Sequence, residues 1–332
     1  MRMRQAMLVA GAAFVAVASP ARAQCAAGYT QDACQKAVDL FNFLTPQISG
    51  ALAGGAATIG QGGVLGGFPH WTLGLRASAV NGAFPSNLDN VAYSTSGATR
   101  SSYTSENQFI PMATIDGSIG IFKGFPLGVT RVGGVDALLT ATYVPKAPEG
   151  GDVAVALPGG STKWGTGVRL GLLQESILVP GVSFTYLQRG LPTISVSGSS
   201  TVSSSAGSAP GTFELKELTM KTKSWRVSAA KSFMAFGLQA GFGQDTYDNS
   251  VGLDVTVNAA APVGTQQAHA SASHSMKRSN VYAGASLNFI IGKLVAEYGQ
   301  VSGGTLPAAM NTFGSSATAS RSYFSVGLRT GF

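Results

Sequence analysis

The last twelve residues of the chain, 321–332, carry the pattern that most restricts its fold. Two sets of side chains alternate along this segment. One set is Phe324, Val326, Leu328, Thr330 and Phe332, and the other is Tyr323, Ser325, Gly327, Arg329 and Gly331. Because successive side chains of a β-strand point to opposite faces, the segment predicts a strand with one apolar face and one small or polar face.

The same alternation recurs in nine earlier segments, all after residue 67. Each places apolar side chains on one face against small, polar or charged side chains on the other. The segments lie near residues 71–79, 109–121, 135–143, 164–172, 182–186, 212–230, 236–243, 281–289 and 294–298. Ten strands are therefore predicted, each with two faces that meet different environments.

The connections between these strands alternate in length. The short connections lie near residues 122–129, 174–180, 231–235 and 290–293, and the long polar ones near 82–106, 145–161, 191–211, 249–275 and 302–318. An up-and-down barrel has short turns at the side of its chain ends and long loops at the other side. Residues 68–332 are thus predicted to be all-β, forming an antiparallel up-and-down transmembrane β-barrel of about ten strands. Twelve strands is an alternative, because a long loop can contain another hairpin. A soluble sandwich does not account for the alternating loop lengths.

Two resemblances agree with this prediction. A final strand that ends in Phe332 resembles the assembly signal of bacterial outer-membrane β-barrels. The stretch from Lys163 to Gln174, with Pro180–Tyr186 and Leu191-Pro192, resembles a group of uncharacterised outer-membrane proteins with a glycine-rich N-terminal segment. These resemblances imply the bacterial outer membrane as location, and outer-membrane lipid and the barrel-assembly machinery as partners. They imply no cofactor and no catalytic residue.

The start of the chain has the features of a secretory signal peptide, residues 1–23. Arg2 and Arg4 precede a short apolar run, and an Ala-x-Ala site ends at Ala23. The run is too short to span about 30 Å of hydrocarbon, which argues against a membrane anchor helix. A lipoprotein is disfavoured because the residues before Cys25 are a poor lipidation signal. Cleavage would leave 309 residues (332 minus 23) and lower the formal charge from +7 to +4.

The composition suits a barrel better than a soluble domain. Only 11% of residues are charged, against about 25% in ordinary soluble domains. The basic excess forms no Lys/Arg block, so no nucleic-acid partner is expected. The sequence contains no metal-ligand cluster, and its glycine-rich stretch lacks the strand–helix context of a phosphate-binding loop.

Residues 24–67 differ from the rest of the chain. Cys25 and Cys34 predict a disulfide after export to an oxidising compartment. Apolar residues at helical spacing predict a short helix from Thr30 or Gln31 to Leu44. Pro46 either ends this helix or begins a new turn. A glycine- and alanine-rich stretch follows, up to residue 67. Two interpretations are open: a plug inside the barrel lumen, or a periplasmic extension.

The polar faces of the predicted strands collect charged side chains. They are Arg76, Asp116, Asp136, Lys163, Arg169, Arg189, Arg226, Asp245, Lys293, Glu297 and Arg329. One interpretation is a set of cross-lumen ion pairs that fill a narrow barrel, since buried charges need partners. The other is a basic channel lining that favours anionic solutes. The expected function is passive or selective passage of small solutes, and the alternative is a structural or surface-binding barrel with a closed lumen.

A hydrolase at the outer rim is a third hypothesis. Asp245, Asp248, Asp254 and His274 lie in or beside the predicted loop 249–275, where acidic residues and a histidine can form a hydrolytic site. No spacing in the sequence demands such a site, so no enzymatic activity is expected.

Overall fold

The computed structural model describes residues 25–331 except residues 59, 86–96, 147–152 and 205–206. The predicted signal peptide and Phe332 therefore lie outside the described residues. The described chain forms one helix, α1 (Gln31–Ala53), and fourteen strands. The strands are β1 Trp71–Pro85, β2 Ser105–Phe122, β3 Phe125–Leu127, β4 Thr130–Val132, β5 Gly134–Tyr143, β6 Val153–Ala156, β7 Thr162–Leu173, β8 Gly181–Gly190, β9 Ile194–Ser204, β10 Gly207–Phe233, β11 Phe236–Asn258, β12 Thr265–Phe289, β13 Gly292–Ser302 and β14 Arg321–Gly331.

Ten of these strands close into an antiparallel ring. Their order is β1-β2-β5-β7-β8-β10-β11-β12-β13-β14, and β14 returns to β1 with Thr72 opposite Gly331 and Val80 opposite Tyr323. Closure satisfies the backbone groups that an open sheet edge would leave unpaired. The predicted all-β up-and-down topology and the count of ten are confirmed.

The two ends of the ring differ. The turn end holds the short connections and the small hairpin β3–β4. The loop end holds the long connections, and there β9 and β6 extend the sheet from β10. The prediction that residues 191–211 form a loop is therefore wrong, because β9 and the start of β10 occupy most of them.

The prediction of a loop at 249–275 is also wrong. Residues 236–258 and 265–289 form one long hairpin with a turn between them. The apolar side of β11 changes along its length. From Phe236 to Phe242 the apolar side chains point outward, whereas from Tyr247 to Val257 they are buried on the inner side. The outward residues of the upper part are polar, which gave this stretch the composition of a loop.

The outer surface of the ring carries an apolar band. Leu238 is 53% exposed and Leu328 is 60% exposed, on strands whose alternate residues are buried. Aromatic side chains lie along both borders of the band. Phe109, Tyr143, Trp164 and Tyr298 lie toward the loop end, and Trp71, Phe236 and Phe289 toward the turn end. A soluble protein rarely exposes so large a contiguous apolar surface.

No helix in the described part of the chain has the length and apolarity needed to cross a membrane.

Helix α1 lies inside the ring. It contacts strands from around the wall, namely β1, β2, β8, β10, β11 and β12. Its N-terminal half packs at the loop end, where Val38 and Phe41 join a cluster with Val251 and Leu253. The predicted disulfide is present between Cys25 and Cys34 in this same cluster, which confirms it.

The helix is longer than predicted, because it continues through Pro46 to Ala53. Proline lacks the N–H group of a regular helical hydrogen bond, and its ring disfavours a helix interior. Here the wall provides contacts that the sequence pattern does not reveal. Gln47, next to the proline, binds both the N–H and the carbonyl group of Ala83 on β1. Tertiary contacts thus outweigh the local preference for ending the helix.

Candidate functional site

The inner segment, defined here as residues 25–67, occupies the lumen over its described length. After α1 ends, its chain runs on to the turn end, where Val64 forms two hydrogen bonds with Gln174, next to β7. The wall side chains that face this segment include most of the charged residues predicted from the sequence.

Three arginines of the wall converge on the C-terminal end of α1. Arg76 donates to the carbonyl oxygen of Gly54 at 2.6 Å. Arg189 donates to Leu52 at 3.1 Å, and Arg226 donates to Ala53 at 2.6 Å. We call Arg76, Arg189 and Arg226 the arginine clamp.

The clamp follows from the electrostatics of a helix end. The last carbonyl groups of a helix have no partner within it and carry partial negative charge. Helix α1 has no basic residue in its last turn, so the barrel wall supplies the cations. A hydrogen bond from a charged donor contributes roughly 1.5–3 kcal/mol. Gly55 permits the close approach, because it has φ 76° and a Cβ there would lie 2.6 Å from Nη1 of Arg76.

The three clamp arginines differ in their acidic partners. Arg76 binds Asp116 on the neighbouring strand through Nε at 2.7 Å and Nη2 at 3.3 Å. Arg226 lies 3.9 Å from Asp245 and 3.8 Å from Glu297. Arg189 has no salt bridge with any described residue. Among the described residues, its guanidinium donates only to carbonyl groups of the inner segment.

A second polar cluster holds the inner segment nearer the turn end. The amide oxygen of Gln61 accepts from Nη1 of Arg169 at 2.7 Å and from Nη1 of Arg329 at 2.9 Å. Arg169 also forms a salt bridge with Asp136 on the adjacent strand β5, and the backbone N–H of Leu65 donates to Asp136 at 3.1 Å. The wall therefore binds both side-chain and backbone groups of the segment.

Glu297 and Gln239 connect the two clusters. Glu297 accepts from the hydroxyl of Tyr323 at 2.9 Å, from Gln239 at 3.1 Å and from the N–H of Ala56 at 3.4 Å. Gln239 accepts from the N–H of Gly60 at 2.6 Å. The backbone of the glycine-rich stretch thus pairs with side chains of the wall.

The lumen around these groups is closed to water. Asp136, Arg169 and Asp245 are all 0% exposed. A cavity beside the clamp, lined by Arg189 and Arg226, has a volume of about 10 Å³, which is room for roughly one water molecule. In this conformation the wall charges are engaged with their neighbours and with the inner segment.

The predicted charged residues occupy the following places. Ten of the eleven are buried or half-buried on the inner side of the wall, and Lys163 is exposed near the loop end of β7. The closest ion pairs, Arg76–Asp116 and Asp136–Arg169, join neighbouring strands and do not cross the lumen. The predicted cross-lumen filling is therefore wrong for these pairs, because the inner segment fills the space between opposite walls.

Sequence reasoning missed several partners of these charges. Gln61, Gln239 and Tyr323 are uncharged, and nothing in the spacing of neutral polar residues marks them as ligands of charged groups. Arg278 was missed because it falls between the predicted loop 249–275 and the predicted strand 281–289, whereas β12 includes it. It is 1% exposed and donates to the carbonyl of Ala319 at 2.6 Å.

At the loop end, two carboxylates of α1 hold the outer loops. Asp39 accepts from the N–H of Asn311 at 2.8 Å and from its side-chain amide at 2.7 Å. Asp32 accepts from the N–H of Thr99 at 2.7 Å. Burial raises the pKa of Asp39 from its ordinary value, and the hydrogen bonds from Asn311 oppose this rise. The loops containing Thr99 and Asn311 are thereby fastened to the helix.

His274 is buried between β12 and α1. Its ring nitrogens lie 3.2 Å from Oδ1 of Asn42 and 3.1 Å from Nδ2 of Asn249. Burial lowers the pKa of His274 from 6.5 to about 4. The ring is therefore neutral near pH 7.

The predicted outer-rim hydrolase group does not come together. Asp245 and His274 face the inside of the barrel, whereas Asp248 and Asp254 lie on the outer face of β11. Asp248 binds Ser275 and Lys223, and Asp254 binds His269 at 2.6 Å. The three aspartates are separated by the alternation along β11, which sends odd- and even-numbered residues to opposite faces, and His274 lies on the inner face of β12. In a flexible loop the four could have met, but a strand separates them.

No protein-family model matches the sequence, and no curated protein shows significant sequence similarity to it.

Several solved structures are similar at low identity. The outer-membrane protease OmpT from Escherichia coli is 11% identical, with a TM-score of 0.32 over 80% of this chain and 97% of that chain. The toluene transporter TodX of Pseudomonas putida is 11% identical, with a TM-score of 0.31 over 84% and 93%. The outer-membrane channel DcaP of Acinetobacter baumannii is 10% identical, with a TM-score of 0.20 over 79% and 96%. The chain has a distant structural similarity to bacterial outer-membrane β-barrels. A protease, a transporter and a channel are among them, so the likeness concerns the fold and not the activity.

Proposed function

We propose that the protein is a bacterial outer-membrane barrel that passes small solutes through its lumen, and that the inner segment is a removable plug of that lumen. The observation that carries this proposal is the arginine clamp. The wall holds the end of α1 by hydrogen bonds from charged side chains to backbone carbonyls. Such contacts can be replaced by water when the segment moves.

The outer surface supports the membrane position. A lipid-facing wall must be apolar and its backbone groups must be paired within the sheet, as they are in the ring. In bacterial barrels the short turns lie on the periplasmic side and the long loops outside. The turn end is therefore assigned to the periplasm and the loop end to the cell exterior.

The wall is built to remain charged without the plug. In the pairs Arg76–Asp116 and Asp136–Arg169 both partners belong to the wall, so each pair stays intact when the segment leaves. Arg189 would then donate its hydrogen bonds to water in place of the carbonyl groups of the inner segment. A set of six basic and four acidic side chains would then line the opening: Arg76, Arg169, Arg189, Arg226, Lys293, Arg329, Asp116, Asp136, Asp245 and Glu297.

A second candidate function is a permanently closed barrel that presents its loop end to other molecules. The observation in its favour is the complete burial of Asp136, Arg169 and Asp245, which leaves no water in contact with these charges. The two candidates differ in whether the inner segment ever leaves the lumen.

Planar-bilayer conductance separates the candidates. The refolded mature chain, beginning at Gln24, is compared with a variant that lacks residues 24–67 and with a variant locked by Gly50→Cys and Val80→Cys. A Cβ on Gly50 lies 3.9 Å from Cγ2 of Val80, so side chains at these two positions of helix and wall are in contact, and the bridge is verified by the loss of free thiols. We expect rare openings in the wild type, sustained anion-preferring openings after deletion, and silence in the locked form until reductant is added.

Two controls make the result decisive. Wild type with reductant controls for the native disulfide between Cys25 and Cys34. A folded-versus-boiled gel shift shows that the deletion variant still forms a barrel. If that folded variant conducts no ions, the plug proposal is wrong. If the wild type and the locked variant are equally silent before and after reduction, the closed-barrel candidate is the correct one.

A further inference from the structure

A cavity of about 720 Å³ lies at the loop end, outside the arginine clamp. One wall is α1, through Asp39, Asn42 and Phe43, and the facing wall is the connection between β13 and β14, residues 304–318. Pockets for small ligands commonly enclose 300–1,000 Å³. The size is therefore sufficient for a molecule of one or two sugar rings.

The walls of this cavity are fixed by several independent contacts. Phe43 stacks on Phe313 with ring centroids 4.7 Å apart, and Tyr103 stacks on the same ring at 5.5 Å. The N–H of Tyr103 donates to the carbonyl of Thr312 at 2.8 Å. Asn311 is bound to Asp39 of the helix. The cavity is thus formed between braced elements.

The lining has no charge available for a ligand. Of the described residues that line it, none is lysine, arginine or histidine. The one carboxylate, Asp39, is 1% exposed and accepts hydrogen bonds from Gln35, Met310 and Asn311. An anionic ligand would find no cation among these lining residues, because the nearby Arg321 is engaged with the hydroxyl of Ser315 at 3.2 Å. A cationic ligand would have to displace the hydrogen bonds of Asp39. Because desolvating an unpaired charge is costly, the cavity favours uncharged ligands.

The remaining lining combines hydroxyl groups with apolar surface. Hydroxyls come from Ser102, Thr305, Thr312, Ser315, Ser316 and Thr318. Apolar contacts come from Phe43, Leu306, Pro307, Ala309, Phe313 and Ala317. A hydroxyl both donates and accepts, so this mixture matches a ring that has hydroxyl groups at its edge and C–H groups on its faces.

We infer that this cavity is a binding site for an uncharged, hydroxyl-rich ring solute, a hexose or disaccharide in size and chemistry. The inference deepens the proposed function, since its meaning for transport rests on that proposal. Asn42 and Phe43 of the cavity wall belong to the same helix whose end the arginine clamp holds. A bound solute therefore touches the inner segment directly.

Calorimetric titration of the refolded mature chain tests the inference. The probes are glucose, sucrose, glucosamine and glucose 6-phosphate. We expect saturable binding of glucose or sucrose, and binding at least about tenfold weaker for both charged analogues, a difference of about 1.4 kcal/mol. Tighter binding of either charged analogue, or no saturable binding of the two neutral sugars, would overturn the inference.

Two neighbouring alanines supply a matched pair of variants. Ala309 lines the cavity and Ala308 does not, although both are exposed on the same connection. Ala309→Trp fills the cavity and is expected to weaken sugar binding by about tenfold or more, whereas Ala308→Trp leaves it within about twofold. Thr305→Trp is a second filling variant in case the first fails to fold. Equal binding by filled and control variants places the sugar elsewhere and refutes the site.

The outcome is independent of the conductance experiment. If the protein binds glucose in this cavity but never conducts ions, the binding site is supported and the proposed passage of solutes is wrong. If the protein conducts ions after plug removal but binds no neutral sugar, the proposed passage of solutes is supported and the sugar-binding site is refuted.

Discussion

Arg189 of the barrel wall donates a hydrogen bond to the carbonyl oxygen of Leu52 in the lumen, at 3.1 Å. This contact spans 137 positions of the sequence, and Arg189 forms no salt bridge with a described residue. Its charge is therefore balanced mainly by the carbonyl groups of the helix end. Among the clamp residues, Arg189 is the one whose removal loosens the inner segment without leaving a paired carboxylate alone.

Replacing Arg189 with methionine is expected to expose the end of α1. Loss of one charged hydrogen-bonding group costs about 1.5–3 kcal/mol, which raises the open population by at least about tenfold. The measurement is the labelling rate of Ala51→Cys by a thiol reagent, because Ala51 is 0% exposed in the closed state. Arg131→Met is the control, since Arg131 lies at the turn end and bonds to Gly124. Equal labelling rates in the two variants would show that the clamp does not hold the helix.

Acid is expected to open the loop-end part of the barrel through His274. Its pKa is about 4 in the closed structure, below the usual value of 6.5. An opened state takes up a proton as the pH falls below 6.5, while the closed state takes it up only near 4, so the stability of the closed state is lost across this interval. The gap sets an upper limit of about 3 kcal/mol.

Hydrogen exchange of the amides in residues 249–253 and 272–276, corrected for intrinsic rates, measures this opening. His274→Gln should remove the acid dependence, because glutamine cannot take up the proton. Identical acid sensitivity in this variant and the wild type would assign the effect to another group.

The two carboxylates of α1 are expected to hold different loops. Asp39→Ala leaves the N–H groups of Met310 and Asn311 without their acceptor, and Asp32→Ala does the same for Thr99. Each loss costs about 1–3 kcal/mol. Hydrogen exchange should rise in residues 304–318 for the first variant and in residues 97–101 for the second. Each variant serves as the control of the other, and an exchange pattern common to both would argue for general loosening of the helix.

An arginine on the apolar band is expected to destabilise the protein in lipid. Leu328 is 60% exposed near the middle of the band on β14, and Leu328→Arg should cost about 2–4 kcal/mol. Ser273→Arg introduces the same charge on the exposed face of β12 in the loop-end extension and should be nearly neutral. Urea unfolding in phospholipid vesicles measures both. Similar stabilities for the two variants would contradict the proposed membrane position.

The ring was predictable because alternation directly reports two different environments. Along β14, buried side chains alternate with the outward apolar side chains Phe324, Val326 and Leu328, so the period is visible without the structure. The upper part of β11 was not predicted as strand, although Val251, Leu253, Val255 and Val257 also alternate. There the apolar face turns inward onto α1, and only knowledge of the helix's position explains why a strand would bury that face.

The contents of the lumen were predictable only in part. The charged residues of the wall follow from strand parity, but most partners of the clamp are backbone carbonyls, which every residue possesses. The continuation of α1 past Pro46 depends on contacts such as that of Gln47 with Ala83. Sequence periodicity predicts on which face of a strand a side chain lies, but it does not predict which group that side chain contacts.

The pairing of β14 with β1 closes the ring, so it affects when α1 can enter the lumen during assembly and by which route it can leave later. Because the ring closes around α1, the helix can leave sideways only if two neighbouring strands of the wall separate. Residues 54–70 remain joined to β1 and, drawn out straight, reach at most about 56–61 Å. While the ring stays closed, α1 can therefore move only along the barrel axis, and the length of residues 54–70 limits that movement.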